Sequence, residues 1–218
     1  MALQIGLRER KKQRTRQLIF DAAQKLFAKR GFEAVSVAEI ARAADVSEVT
    51  VFNYFPTKED LFYGGMAAFE ESLLEAVRAR RPGEAASKAF RRALLDSADN
   101  LVSTERAAAI AKASKLIAAS PSLLARERAI AERYTRLLAE LLAEETGANP
   151  DEVEAMAVAS AMMGAHRAGV AYVRKEVLAG RKGAALAEAL RAQVTQAFAR
   201  LERGLGSYAV SGRPSGRP

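Results

Sequence analysis

Apolar residues return at three- and four-residue intervals along nearly the whole chain, the period of an amphipathic helix. Ile19, Ala22, Ala23, Leu26 and Phe27 carry the first stripe, and Gly31 closes it. Ser36 and Glu39 make a capping box that opens a short second helix through Ile40 and Ala41. Ala44-Asp45-Val46-Ser47 reads as a turn ending in a new N-cap, and a third helix runs from Glu48 to Tyr54. Phe55-Pro56 stops it, because the residue before a proline is pushed out of the α region. Thr57 and Asp60 form a second capping box before a long helix striped by Phe62, Met66, Phe69, Leu73 and Val77.

Pro82-Gly83 breaks the pattern, after which helices are predicted over 84–102, 104–119 and 121–145. At the next joint Gly147 ends one helix, Asn149 caps another and Pro150 occupies its first turn. That eighth helix is predicted to reach Val173 and is dense in small residues, among them Ala157, Ser160, Gly164, Ala168 and Gly169. After the loop Gly180-Arg181-Lys182-Gly183, a last helix aligns Leu186, Leu190, Val194, Phe198, Leu201 and Leu205. From Gly206 onward the composition reads as a flexible tail. The predicted class is all-α with about nine helices: a three-helix helix-turn-helix domain and a larger helical domain. The boundaries fall at residues 1–61, 62–205 and 206–218.

Composition supports helices over sheets. Half of the 218 residues are hydrophobic, only 6% are aromatic, and alanine recurs throughout. The net charge of +8 points to a polyanionic partner, either nucleic acid or a membrane surface. With no cysteine and one histidine, no disulfide, thiolate chemistry, metal site or cofactor is expected. There is no Gly-rich phosphate loop and no nucleophile–base set around His166, so enzymatic activity is not expected either. The N-terminus lacks the pattern of a secretory signal, and no apolar run spans a bilayer, which implies a cytoplasmic protein. Arg8, Arg10, Lys11, Lys12, Arg14 and Arg16 face a single acid, Glu9. This basic arm reads either as a solvated tail or as a nucleic-acid contact.

The stretch Ser36-Val37-Ala38-Glu39-Ile40-Ala41, Val46-Ser47, Val51-Phe52-Asn53-Tyr54-Phe55 and Lys58-Glu59-Asp60-Leu61 closely resembles the N-terminal signature of TetR-family regulators. The likeness includes Ala22-Ala23-Gln24-Lys25-Leu26-Phe27 and Gly31-Phe32, and runs without gaps. It implies a DNA-binding transcriptional regulator, by family default a repressor. It also implies C-terminal helices that hold a small-molecule pocket and a dimer interface. Two positions depart from the family pattern: Asp45 stands where the turn usually has Gly, and Glu48 where a basic or neutral residue is common.

A recognition helix from Ser47 to Tyr54 is about two turns long, enough to lie in a major groove. Val51, Phe52 and Phe55 are expected to face inward, onto Ile40 and Phe27. Glu48, Val49, Thr50, Asn53 and Tyr54 then face outward. Thr50 and Asn53 suit base edges or phosphates, Val49 a thymine methyl, Glu48 a cytosine amino group, and Tyr54 a phosphate. Ser36 and Lys58 sit at helix N-termini, which favour phosphate, and Arg14 and Arg16 add backbone or minor-groove contacts. Ser36, Ser47 and Thr57 would also serve as plain N-caps in any protein.

Candidate effector-pocket residues are Phe69, Phe90, Leu94, Leu101, Ile110, Ile117, Tyr134, Met162, Met163 and His166, a lining suited to an apolar or amphipathic small molecule. The competing reading of such a stripe is ordinary core. The last two helices together suggest a four-helix dimer interface. A two-fold dimer requires a near-palindromic double-stranded operator, with half-sites roughly 34 Å apart or a multiple of that. The alternative for the whole protein is a basic helical membrane-surface or scaffold protein without operator specificity.

Overall fold

A computed structural model describes residues 6–101, 103–147, 149 and 153–205, without the side chains of 99–101 and 205. Among the described residues the regular elements are nine helices: α1 (Leu7–Arg30), α2 (Val37–Ala43), α3 (Glu48–Tyr54), α4 (Lys58–Arg78), α5 (Ala86–Leu101), α6 (Thr104–Ala119), α7 (Pro121–Thr146), α8 (Val153–Leu178) and α9 (Ala184–Leu205). No strand occurs among the described residues. The predicted first turn at Pro150, the side chain of Leu101 and the tail from Gly206 lie outside them.

Two helices are longer than their patterns imply. The basic arm forms the first turns of α1. Lys, Arg and Gln are good helix formers, and no Gly or Pro interrupts residues 7–30, so nothing stops the helix short of Leu7. Likewise α8 continues past Val173 to Leu178, because the first breaker is Gly180, at φ 85°.

The chain divides into two compact units, one of Met1–Ala67 with Leu116–Glu127 and one of Ala68–Lys115 with Arg128–Pro218. In the first, Ile19, Ala23 and Phe27 of α1 meet Ile40 and Ala41 of α2, Val51 of α3 and Phe55, all buried. Phe27, Phe32 and Phe62 form a ring cluster with centroids 5.2 to 6.0 Å apart. Gly64 lets α4 approach α1 closely, since a Cβ there would stand 2.9 Å from the Phe20 ring. The α6–α7 corner belongs to this unit, although the sequence pattern assigns it to the larger domain. Side-chain bonds explain why. Ser120 donates to Glu33 (2.6 Å), Arg126 Nε donates to Asp60 (2.9 Å), and the Tyr63 hydroxyl donates to the Leu123 carbonyl (3.0 Å).

The turn between α2 and α3 places Asp45 at φ 54°, the one left-handed residue other than glycine among the described residues. A Cβ crowds the following carbonyl there, and Asp tolerates that better than Ala does. Asp45→Ala is therefore expected to lower unfolding free energy by about 1 kcal/mol. Asp45→Gly should leave it unchanged or raised, read in paired urea titrations; equal losses in both variants would refute a conformational cause.

In the second unit α5 and α8 both pack against α9. Leu186, Leu190, Val194 and Phe198 are buried, and the Phe198 ring stacks on Phe90 at 6.1 Å. The apolar stripe of α9 is thus packed inside the subunit, against α5 and α8. Gly169 of α8 supplies part of the reason: a Cβ there would meet Leu190 and Val194 at 3.7 and 3.8 Å. Arg80 is sealed in this unit, donating to the Val77 and Glu84 carbonyls and bidentately to Glu145.

Candidate nucleic-acid interface

Local sequence fixes the ends of the short helices. Ser36 Oγ accepts from the Glu39 N–H (3.2 Å), and Glu39 Oε2 accepts from the Ser36 N–H (2.9 Å), closing the predicted box. The Ser36 N–H, and after it Arg30 at 2.6 Å, hold the Glu39 carboxyl down to about 2 from its ordinary 4.5. A permanent carboxylate therefore already occupies the α2 N-terminus, and Ser36 serves as a cap. Thr57 and Asp60 repeat the arrangement at α4, with the Asp60 N–H 3.1 Å from Thr57 Oγ1.

Ser47 caps α3, accepting from the Thr50 N–H at 3.1 Å, and its hydroxyl also bonds the Thr50 hydroxyl at 2.8 Å. Thr50 is consequently half-buried, whereas Glu48, Val49 and Asn53 are exposed and Tyr54 is half-buried. Val51 and Phe55 lie four residues apart on one face and fill the core. Phe52 does not join them. It is 46% exposed, correcting the expectation that it faces inward, because a helix turns it about 100° away from Val51.

Cations stand beside this helix on aromatic supports. The Arg16 guanidinium lies 4.6 Å from the centre of the Phe55 ring, and Lys58 Nζ lies 4.3 Å from that of Phe32. Along α1, Arg8, Lys12 and Arg16 fall in one row at four-residue spacing, and Arg10 and Arg14 in another. All five are exposed. Basic rows, an exposed amide and a short capped helix together suit a polyanion that carries readable edges.

Of the pocket candidates, Phe69 and His166 come together, with ring centroids 5.6 Å apart. Met162, Met163, Leu94 and Tyr134 are buried in the same unit, and Ile110 is half-buried. Phe90 has Phe198 as its ring partner. Ile117 belongs to the first unit, so it does not group with the others. The residue the pattern missed is Glu70, 2% exposed, with Oε1 3.1 Å from His166 Nε2 and Oε2 without a hydrogen-bond partner. Its signal was present: Met66, Glu70, Leu73 and Val77 run at four-three-four spacing, so an acid occupies an apolar stripe. Burial raises the Tyr134 phenol above its usual range, and the negative charges of Glu71 and Glu70 add to this against Arg133. Tyr134 stays an O–H donor. No described cluster of His, Asp or Glu could hold a metal ion, and no described helix is long and apolar enough to cross a membrane.

Residues 19–63 match the profile of bacterial regulatory proteins of the tetR family, and residues 84–206 match the MftR C-terminal domain. The HTH-type transcriptional regulator TcmR of Streptomyces glaucescens is 32% identical over 151 residues, covering 67% of each chain. Thermus thermophilus FadR, a TetR-family repressor solved in complex with lauroyl-CoA, is 25% identical with a TM-score of 0.51, over 93% of this chain and 98% of that one. The fatty acid degradation regulator FadR of Bacillus halodurans shares the fold, with 20% identity and a TM-score of 0.54 over 84% of this chain and 94% of that one. With α3 presented on its capped three-helix base and both halves of the chain matched, the protein belongs to the TetR family and is a DNA-binding transcriptional regulator.

Proposed function

We propose that this regulator is a repressor that binds a near-palindromic operator as a homodimer and leaves it when a small apolar or amphipathic effector binds the larger unit. The observation that carries the operator reading is the outward face of α3, where Asn53 is exposed on a helix whose core positions are already filled by Val51 and Phe55. Asn is a mediocre helix former with nothing to do on that face unless it meets a base edge. In this reading Glu48, Val49, Thr50, Asn53 and Tyr54 enter the groove, with Ser47 as their cap. Arg14, Arg16 and Lys58 hold phosphates.

Dimerisation is assigned to the last two helices, with the other face of α8 meeting the partner. Ala157, Ser160, Ala168 and Ala171 are exposed there and would let a partner helix approach closely. The effector reading draws on the buried Tyr134, Met162 and His166 with the half-buried Phe69 against the His166 ring, and on the lauroyl-CoA bound by the Thermus thermophilus relative. Coupling would run through α4, one unbroken helix that begins beside α3 and continues into the larger unit.

Selection of bound duplexes from random DNA tests the operator reading, with one enriched palindrome as the expected result. Asn53→Ala should then cost about 1–3 kcal/mol on that operator and little on random DNA, whereas Lys58→Ala should weaken both alike. Equal losses for Asn53→Ala on the two DNAs would refute its role as a base reader.

A further inference from the structure

Among seven residues, α3 carries no Lys or Arg and one acid, Glu48. Four side chains project from it into solvent: Glu48, Asn53 and two apolar ones, Val49 and Phe52. Val49 is 71% exposed and Phe52 46%, and residues three apart on a helix lie side by side. Neither is needed for the fold, since Phe27, Ile40, Val51 and Phe55 already fill the core beneath at 0–1% exposure. Of the polar neighbours, Thr50 engages its hydroxyl with Ser47 at 2.8 Å, which leaves Asn53 as the exposed amide.

This set limits what α3 can read. Guanine is most often recognised through its O6 and N7 acceptors by the paired donors of Arg or the ammonium of Lys, and α3 has neither. Asn pairs instead with the N6 and N7 of adenine. The major groove has a single strongly apolar feature, the 5-methyl group of thymine. Two adjacent exposed apolar side chains beside an Asn therefore match a run of A·T pairs. General attraction to phosphate is supplied elsewhere, by Arg16 over the Phe55 ring and Lys58 over the Phe32 ring.

We propose that Val49 and Phe52 are specificity-determining residues that read thymine methyl groups, so that each operator half-site carries A·T pairs at the positions facing Val49, Phe52 and Asn53, while Glu48 is left to accept from a cytosine amino group at a neighbouring pair. The proposal rests on α3 being the recognition helix and names the bases that helix selects.

Uracil tests it, because it pairs as thymine does and lacks only the methyl. Full-length protein is used first to select bound duplexes from random DNA. Thymines of the tightest half-site are then replaced one at a time by deoxyuridine. One or two positions per half-site are expected to lose about fourfold in affinity, the worth of one buried methyl group. In Phe52→Ala or Val49→Ala, whose side chains are exposed and should leave thermal stability intact, the matching uracil duplex is expected to bind as well as the thymine duplex. Three results would overturn the proposal: selected half-sites with G·C pairs at those positions, uracil duplexes that all bind at full affinity, or a uracil penalty that survives in both alanine variants. If no sequence is enriched at all, the operator reading itself fails, and this inference falls with it.

Discussion

Arg80→Met is expected to lower the free energy of unfolding by about 3–5 kcal/mol, measured by urea titration. The Arg80 side chain is 1% exposed and donates to the Val77 and Glu84 carbonyls and to both oxygens of Glu145. Methionine keeps most of the volume and removes every donor. The two carbonyls and the carboxylate are then left beside apolar packing, and stranding buried polar groups costs more than a bond between them contributes. Glu145 retains 28% side-chain exposure and recovers some hydration, which places the loss toward the lower end of that range. Adding Glu145→Met to Arg80→Met should restore much of the stability, since paired removal of a buried ion pair is often close to neutral. Losses that simply add would refute the coupling.

The second large effect is at His166. His166→Leu removes the hydrogen-bond partner of Glu70 Oε1, while Oε2 has none among the described residues. Both residues are at most 5% exposed, so the stranded carboxylate has no ready access to water. A loss of about 3 kcal/mol or more is expected, and the Glu70→Leu, His166→Leu double variant should come within about 1 kcal/mol of the wild type. Thermal and urea unfolding of the four proteins closes the cycle. A double variant as unstable as the sum of the single ones would show that the two side chains act independently.

Helix boundaries were legible because glycine, proline and capping boxes punctuate this chain sharply. Gly31, Ser36 with Glu39, Ser47, Pro56 and Thr57 with Asp60 each stop or start a helix where the structure does. The helix proposed to read DNA was legible for the same reason. Which way a single side chain points was harder to read, because Phe52 is apolar yet sits off the Val51–Phe55 line, and hydrophobicity alone does not report a rotation of about 100°. The start of α1 was hidden by its charge, since a basic run reads equally as tail and as helix. The use of the α9 stripe depends on which neighbour takes it, α5 and α8 or a second subunit, and periodicity is identical in both cases. Glu70 and His166 lie 96 residues apart, and nothing local links them.

The α6–α7 corner has a consequence for how such a protein can be recombined. Ser120, Leu123 and Arg126 bond to Glu33, Tyr63 and Asp60, so the unit that carries α3 is assembled from two separate stretches of chain. A chimera joined at residue 67 would therefore inherit a foreign corner, losing the acceptor for Tyr63 and the cation for Asp60 unless the graft supplied them. Exchanging operator specificity between relatives calls for a discontinuous transplant, residues 1–67 together with 116–127, so the regulator is modular in space but not along its sequence.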